Sequence, residues 1–267
     1  MNRSRELLVL GTALLLVLGG CSKKSENADE TGGAQMAPSS APATPVDAAT
    51  AGDVSGKITL DGTAPVMKAI NMSAEPYCTS QHPTPVVPQD VVVGTGNGLA
   101  NVVVYVKDGL GDRTFDVPKD NVQLHQKGCM YEPHVVALMG GQNLEVVNDD
   151  QTTHNIHPIP KDNQEWNKSQ PPGAPPIIET FARGEVSIPV KCNVHPWMKS
   201  YIAVFKQPYF VVTAPDGSFD LKNLPPGTYT IEAWQEKYGT VDQQVTVGPK
   251  ESKTVNMTFK AAAASGD

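Results

Sequence analysis

The stretch Cys192-Asn193-Val194-His195-Pro196-Trp197-Met198 sets a thiol, an imidazole and a thioether at spacings of three. One tight loop can therefore turn all three toward a single ion. Thiolate, imidazole and a weakly held thioether form a donor set that suits copper, in a trigonal site with a long axial bond. The loop holds no second cysteine, which argues against a thiolate-bridged binuclear centre. A mononuclear site of this kind still needs one more imidazole, from elsewhere in the chain.

The elements that must position the loop read as strands. Glu185 to Lys191 (EVSIPVK) delivers Cys192, and Tyr201 to Phe205 (YIAVF) leads away from the loop. Upstream, from Asn121, come VQLHQKG and then PHVVALMGGQNLEVVND, where two apolar strands flank Gly140-Gly141. His154-Asn155-Ile156-His157 follows, and then a proline-rich excursion containing Trp166. Earlier still, Val54 to Leu60 alternates and is closed by Asp61-Gly62-Thr63-Ala64-Pro65. A looser region with Cys78 and His82 precedes Leu99 to Lys107, a β-branched run of strand length. From Tyr209 onward, Asp216-Gly217, Pro225-Pro226-Gly227, Gly239 and Gly248-Pro249 separate short strands in a sandwich pattern.

Composition agrees with an all-β reading. Glycine and proline contribute 23 each and aromatics only 6%, a mix that favours short strands and turns. With 267 residues and 39% hydrophobic content, the chain is long enough for two small domains. A net charge of -7 argues against a nucleic-acid partner.

At the N-terminus, Arg3 and Arg5 precede an apolar run from Leu7 to Leu18, ending Leu18-Gly19-Gly20-Cys21. This is the pattern of a secretory signal, too short for a confident membrane span. Small residues directly before a cysteine resemble the lipobox of bacterial lipoproteins. That resemblance implies a signal peptide over 1–21, lipidation of Cys21 and a membrane association through the lipid anchor. Ser22 stands where such proteins carry the aspartate linked with inner-membrane retention, so the periplasmic face of an outer membrane, or the cell surface, is the expected location. Residues 22–51 carry almost no large apolar side chains and read as a flexible tether, with a span of about 30 Å as a coil.

The loop from Cys192 to Met198 resembles the metal loop of the type 1 blue copper proteins, the cupredoxins, in the short form found in amicyanins. Upstream, Asn148 to His157 is similar to the cupredoxin segment that supplies the other imidazole, a histidine followed directly by asparagine. The resemblance covers roughly residues 119 to 206. It implies one type 1 copper held by His154, Cys192 and His195, with Met198 as the weak axial ligand. It also implies that Asn155 hydrogen-bonds across to the cysteine loop. Pro196 and Trp197 would lie in an apolar patch around the exposed edge of His195, where a redox protein partner, a cytochrome or dehydrogenase, docks and electrons leave. His157, at an odd offset from His154 on the strand, should face away. His134 and His125 could cluster with Cys129, a second metal possibility that the residues leave open.

Cys78 and Cys129 remain once Cys21 is lipidated and Cys192 binds metal. In an oxidising compartment such a pair forms a disulfide, the alternative being two buried thiols. Trp166 and Trp234 read as core aromatics.

The stretch DGSFDLKNLPPGTYTIEAW resembles the carboxypeptidase regulatory-like domains, which are transthyretin-like sandwiches. Those domains begin with patterns like GKITLDGTAP and LANVVVYVKDG, both of which precede the copper region here. The economical division is a discontinuous sandwich of residues 52–115 and 207–260, a cupredoxin domain over 116–206 inserted into it, and a tail over 261–267. The rival is two sequential domains, with the early strands belonging to the cupredoxin. No peptidase activity is implied, since a catalytic zinc motif is absent. The expected function is single-electron transfer by an extracytoplasmic copper protein, not an enzyme, because Met198 leaves no open coordination position. The alternative is a cell-surface copper-binding or structural module without redox turnover.

Overall fold

Strands that are apolar on both faces, Val103–Asp108 and Lys199–Phe205, sit at the middle of the molecule. The computed structural model describes residues 42–261. The expected signal peptide, Cys21, the tether up to residue 41 and the tail from 262 lie outside the described residues.

In chain order the elements begin with β1 (Gly52–Asp61), the helix α1 (Pro76–Ser80), β2 (Val103–Asp108), β3 (Val122–Lys127) and β4 (Met130–Glu132). Next come β5 (Val135–Met139), β6 (Asn143–Asn148), β7 (His154–Pro158), β8 (Lys168–Gln170) and β9 (Ile177–Thr180). The metal-loop strands are β10 (Glu185–Lys191) and β11 (Lys199–Phe205). The chain finishes with β12 (Phe210–Val212), β13 (Ser218–Leu224), β14 (Gly227–Gln235), β15 (Gly239–Val247), β16 (Ser252–Thr254) and β17 (Met257–Lys260). The protein is all-β, as composition predicts, with α1 and a single 3-10 turn as its helical pieces among the described residues.

Four sheets form two sandwiches. In the first, β13-β1-β16, with β17 also on β1, faces β12-β2-β14-β15. Ile58, Leu60, Val104, Phe219, Ile231 and Phe259 fill the space between these sheets. In the second, β5-β11-β10-β7-β8 faces β4-β3-β6-β9 around Leu124, Tyr131, Leu138, Leu144, Ile156 and Ile202.

A third cluster joins the two sandwiches. Val103 and Tyr105 of β2 meet Val135 of β5 and Ala203 and Phe205 of β11, with Trp234 packed alongside. Successive side chains of a strand point to opposite faces. Val104 and Val106 therefore enter the first core while Val103 and Tyr105 enter the seam. Likewise Ile202 and Val204 enter the second core while Ala203 and Phe205 enter the seam. Burial on both faces is why these strands read as continuous apolar runs rather than alternating ones.

The turn at Asp216-Gly217 needs its glycine. Gly217 has φ +82°, and a Cβ there would come within 2.2 Å of the Ile58 carbonyl oxygen. Both the left-handed backbone and the close approach exclude a side chain.

The expectation of a flexible tether as far as residue 51 is corrected over its last ten residues. Thr44 N–H donates to the Thr114 carbonyl at 2.8 Å, Lys250 N–H donates to the Thr50 carbonyl at 3.0 Å, and Ala51 is buried. Backbone hydrogen bonds, rather than apolar side chains, hold this stretch, which is why its composition does not disclose it.

Candidate metal centre

Antiparallel pairing of β10 with β7 sets Lys191 opposite His157, which runs the start of β7 back along the loop that follows β10. The loop is closed on itself: Cys192 N–H donates to the Met198 carbonyl at 3.2 Å and Met198 N–H to the His195 carbonyl at 2.9 Å. His195 N–H points at Cys192 Sγ from 3.4 Å. His154, the first residue of β7, enters from the neighbouring strand.

The structure brings His154, Cys192 and His195 together, with one donor atom of each within 4.8 Å of the others. The Nδ1 atoms of the two histidines face each other at 2.9 Å, and Cys192 Sγ lies 3.8 Å from His195 Nδ1. Met198 is fully buried in the same core cluster as Cys192. Asn155 Oδ1 accepts from Asn193 N–H at 2.6 Å and lies 3.3 Å from Cys192 Sγ, so this side chain spans the two ligand segments.

Two lone-pair nitrogens at such a separation need a proton or another cation between them. Burial by itself would raise the Cys192 thiol, but hydrogen bonds from His154 and from backbone N–H groups outweigh it and pull it below its ordinary value. Burial would lower His154, yet its bonds to Asp150 and Cys192 raise it. His195 is lowered by burial and by the neighbouring His154. A thiol that gives up its proton more readily than usual, beside two imidazoles whose Nδ1 atoms converge, is a donor set that a metal ion can occupy by displacing protons. With a buried thioether nearby, the residues fit copper better than structural zinc.

Two residues that sequence reasoning missed support this set. Tyr131 is fully buried, and its hydroxyl lies 2.6 Å from the Asn155 carbonyl and 3.1 Å from the Lys191 carbonyl. It thereby pins together the residues next to His154 and Cys192. Burial and the nearby Cys192 charge keep that hydroxyl protonated, raising its pKa. Asp150 accepts from His154 Nε2 at 2.8 Å. Nothing in the run Asn148-Asp149-Asp150 separates it from Asp149, which pairs instead with His125 at 2.7 Å.

The expected exposed edge of His195 is a correction. His195 is 0% exposed. The region between β1 and β2 lies over it: Cys78 of α1 is bonded to Cys129, and both sulfurs fall within 4.8 Å of a His195 ring nitrogen. The disulfide, in other words, is part of the cover. Trp197 takes the intermediate position, half-buried, its ring 5.2 Å from the His195 ring and its Nε1–H donating to the Cys129 carbonyl at 3.0 Å. Trp197, Pro196 and Val194 then line a groove of about 660 Å³ together with Lys68, Ile70 and Glu75.

His125 and His134 do not gather with Cys129: the cysteine is disulfide-bonded, His134 pairs with Glu236 and His125 with Asp149. His157 is turned away toward Glu165, 2.6 Å distant. Trp166 packs against the second core and Trp234 against the seam.

Comparison with known proteins places the sequence pattern of the carboxypeptidase regulatory-like domain on residues 201–260. No curated protein matches the chain. Among solved structures, a copper-containing nitrite reductase (NirK) from Thermus scotoductus SA-01 is similar at 19% identity and a TM-score of 0.31, over 37% of this chain. The match spans only 25% of the reductase's length. A purple cupredoxin from Nitrosopumilus maritimus is similar at 20% identity and a TM-score of 0.27, covering 32% of this chain and 99% of that one. An amicyanin variant in its Cu(I) form is similar at 16% identity and a TM-score of 0.29, over 38% of this chain and 98% of that one.

Proposed function

We propose that this is an extracytoplasmic, lipid-anchored protein that holds one type 1 copper and passes single electrons between redox partners. The observation that carries the reading is the convergence of His154 Nδ1 and His195 Nδ1, 2.9 Å apart, beside the buried Cys192 sulfur. Copper in such a site would alternate between Cu(I) and Cu(II). The chain's own residues supply what that exchange needs. Tyr131 and Asn155 hold the two ligand segments at fixed separation, so gain or loss of an electron demands little rearrangement. Complete burial of His154, His195 and Met198 excludes water from the donors. Trp197, in contact with His195 and opening on the groove, is the way out for the electron. The same reading treats residues 116–206 as a copper module inserted into a sandwich of 52–115 and 207–260. Support comes from β1 and β2, whose strand partners among the described residues all lie from β12 onward.

The closed His195 edge favours a second reading, a copper-binding module that stores the ion without turnover. Protein expressed with copper should show an intense visible thiolate-to-copper band that is absent in Cys192→Ala. A colourless Cu(II) complex would overturn the type 1 assignment. Reversible one-electron voltammetry and rapid exchange with a small cytochrome separate the carrier from the store, since a store need not cycle.

A further inference from the structure

The two imidazoles of the site are not equivalent. His195 Nε2 is buried and has no hydrogen-bond partner among the described residues, whereas His154 Nε2 meets a carboxylate oxygen of Asp150 at 2.8 Å. We propose that Asp150 is a positioning residue that fixes His154 and makes it the stronger donor of the pair, from a seat built by the disulfide-tethered turn Gly128-Cys129. The proposal rests on the copper reading above for its electrochemical consequence, and on the protein geometry alone for the positioning.

The seat is specific. Asp150 Oδ1 accepts from Gly128 N–H and Oδ2 from Cys129 N–H, each at 2.7 Å. Gly128 and Cys129 have φ of +58° and +55°, a left-handed pair that turns successive N–H groups toward one anion. Such a conformation is uncommon for a residue with a side chain, and Cys129 is held in it beside its bond to Cys78. The Tyr77 hydroxyl, on the same helix as Cys78, adds a contact to Oδ1 at 3.3 Å. The carboxylate is 3% exposed and the His154 side chain 0%. A carboxylate accepting from Nε2–H directs the opposite nitrogen, Nδ1, at the metal position and raises its basicity. Its negative charge also attracts a doubly charged ion more than a singly charged one. Asp150 therefore stabilises the oxidised site over the reduced one.

The test is Asp150→Asn in the full chain. Asparagine can still accept from Nε2–H but carries no charge. Loss of such a partner costs about 10–100-fold in metal affinity. We expect the ratio of Cu(II) to Cu(I) affinity, measured by chelator competition, to fall about tenfold. The reduction potential should then rise by about 59 mV for a one-electron couple. Unchanged affinity and potential, in a variant that keeps its colour, overturn the tuning role. A second measurement needs neither the variant nor copper: nitrogen NMR of the metal-free protein should show His154 with a slowly exchanging proton on Nε2. A rapidly exchanging or absent Nε2 proton overturns the positioning role. Should the wild-type protein give no coloured copper complex, the electron-transfer reading fails while this NMR result still decides on Asp150.

Discussion

Replacing both bridge cysteines, Cys78→Ala with Cys129→Ala, probes the cover over the metal centre. The bridge joins residues 51 apart in sequence. A loop of that length, in the chain-entropy treatment, contributes about 4 kcal/mol by restricting the unfolded chain. Both sulfurs are fully buried, so the vacated volume adds a smaller loss, about 1 kcal/mol. The closed loop contains β2, which pairs with β12 and β14 of the other sandwich. Unbridging therefore frees a segment held at one end by the second sandwich and at the other by the first. The total of about 5 kcal/mol, at about 2–4 °C per kcal/mol for a folded part of this size, gives a fall in Tm of about 10–20 °C. Urea unfolding of the full chain, followed by tryptophan fluorescence with parallel calorimetry, measures it. The same variant should surrender copper to a chelator faster, because α1 no longer presses against His195. A loss under about 1 kcal/mol, well below the loop-closure figure, together with an unchanged rate of copper removal, would refute the claim that the bridge clamps the cover.

Two further predictions concern the outlet and the seam. Trp197→Asp should slow electron exchange with a small cytochrome by about tenfold while leaving the visible band in place, and equal rates would remove Trp197 from the path. Asp90 lies buried beside Lys199 and Lys237, with Lys237 Nζ at 3.1 Å. Burial would raise its carboxyl, but the two ammonium groups outweigh that and hold it below its ordinary value. A carboxyl lowered in this way contributes stability that is present above about pH 4 and lost as pH falls through its folded value. Asp90→Asn should therefore cost about 1–3 kcal/mol at neutral pH, and the gap from wild type should close below pH 4 in acid unfolding. A gap that stays constant down to pH 2 would contradict it.

The metal loop is legible because its three donors fall within seven residues, and a seven-residue loop between two strands leaves few ways to orient them. Strand identity is legible for the same local reason: β-branched runs bounded by Gly, Pro and Asp. The Cys78–Cys129 pairing was reachable by counting cysteines. Asp150 and Tyr131 were not, since a carboxylate in a polar loop and a tyrosine in a short strand look alike whether they face solvent or a ligand.

By itself, then, the amino-acid sequence determined the all-β class, the donor types on the loop between β10 and β11, and the leftover cysteine pair. Tertiary structure alone decided that β2 and β11 are buried on both faces, that Asp150 rather than Asp149 meets His154, and that His195 lies beneath α1. The physical reason is separation along the chain. Donor chemistry and strand propensity are properties of neighbours in sequence. Burial of His195 depends instead on Cys78, a residue more than a hundred positions away, folding back onto it.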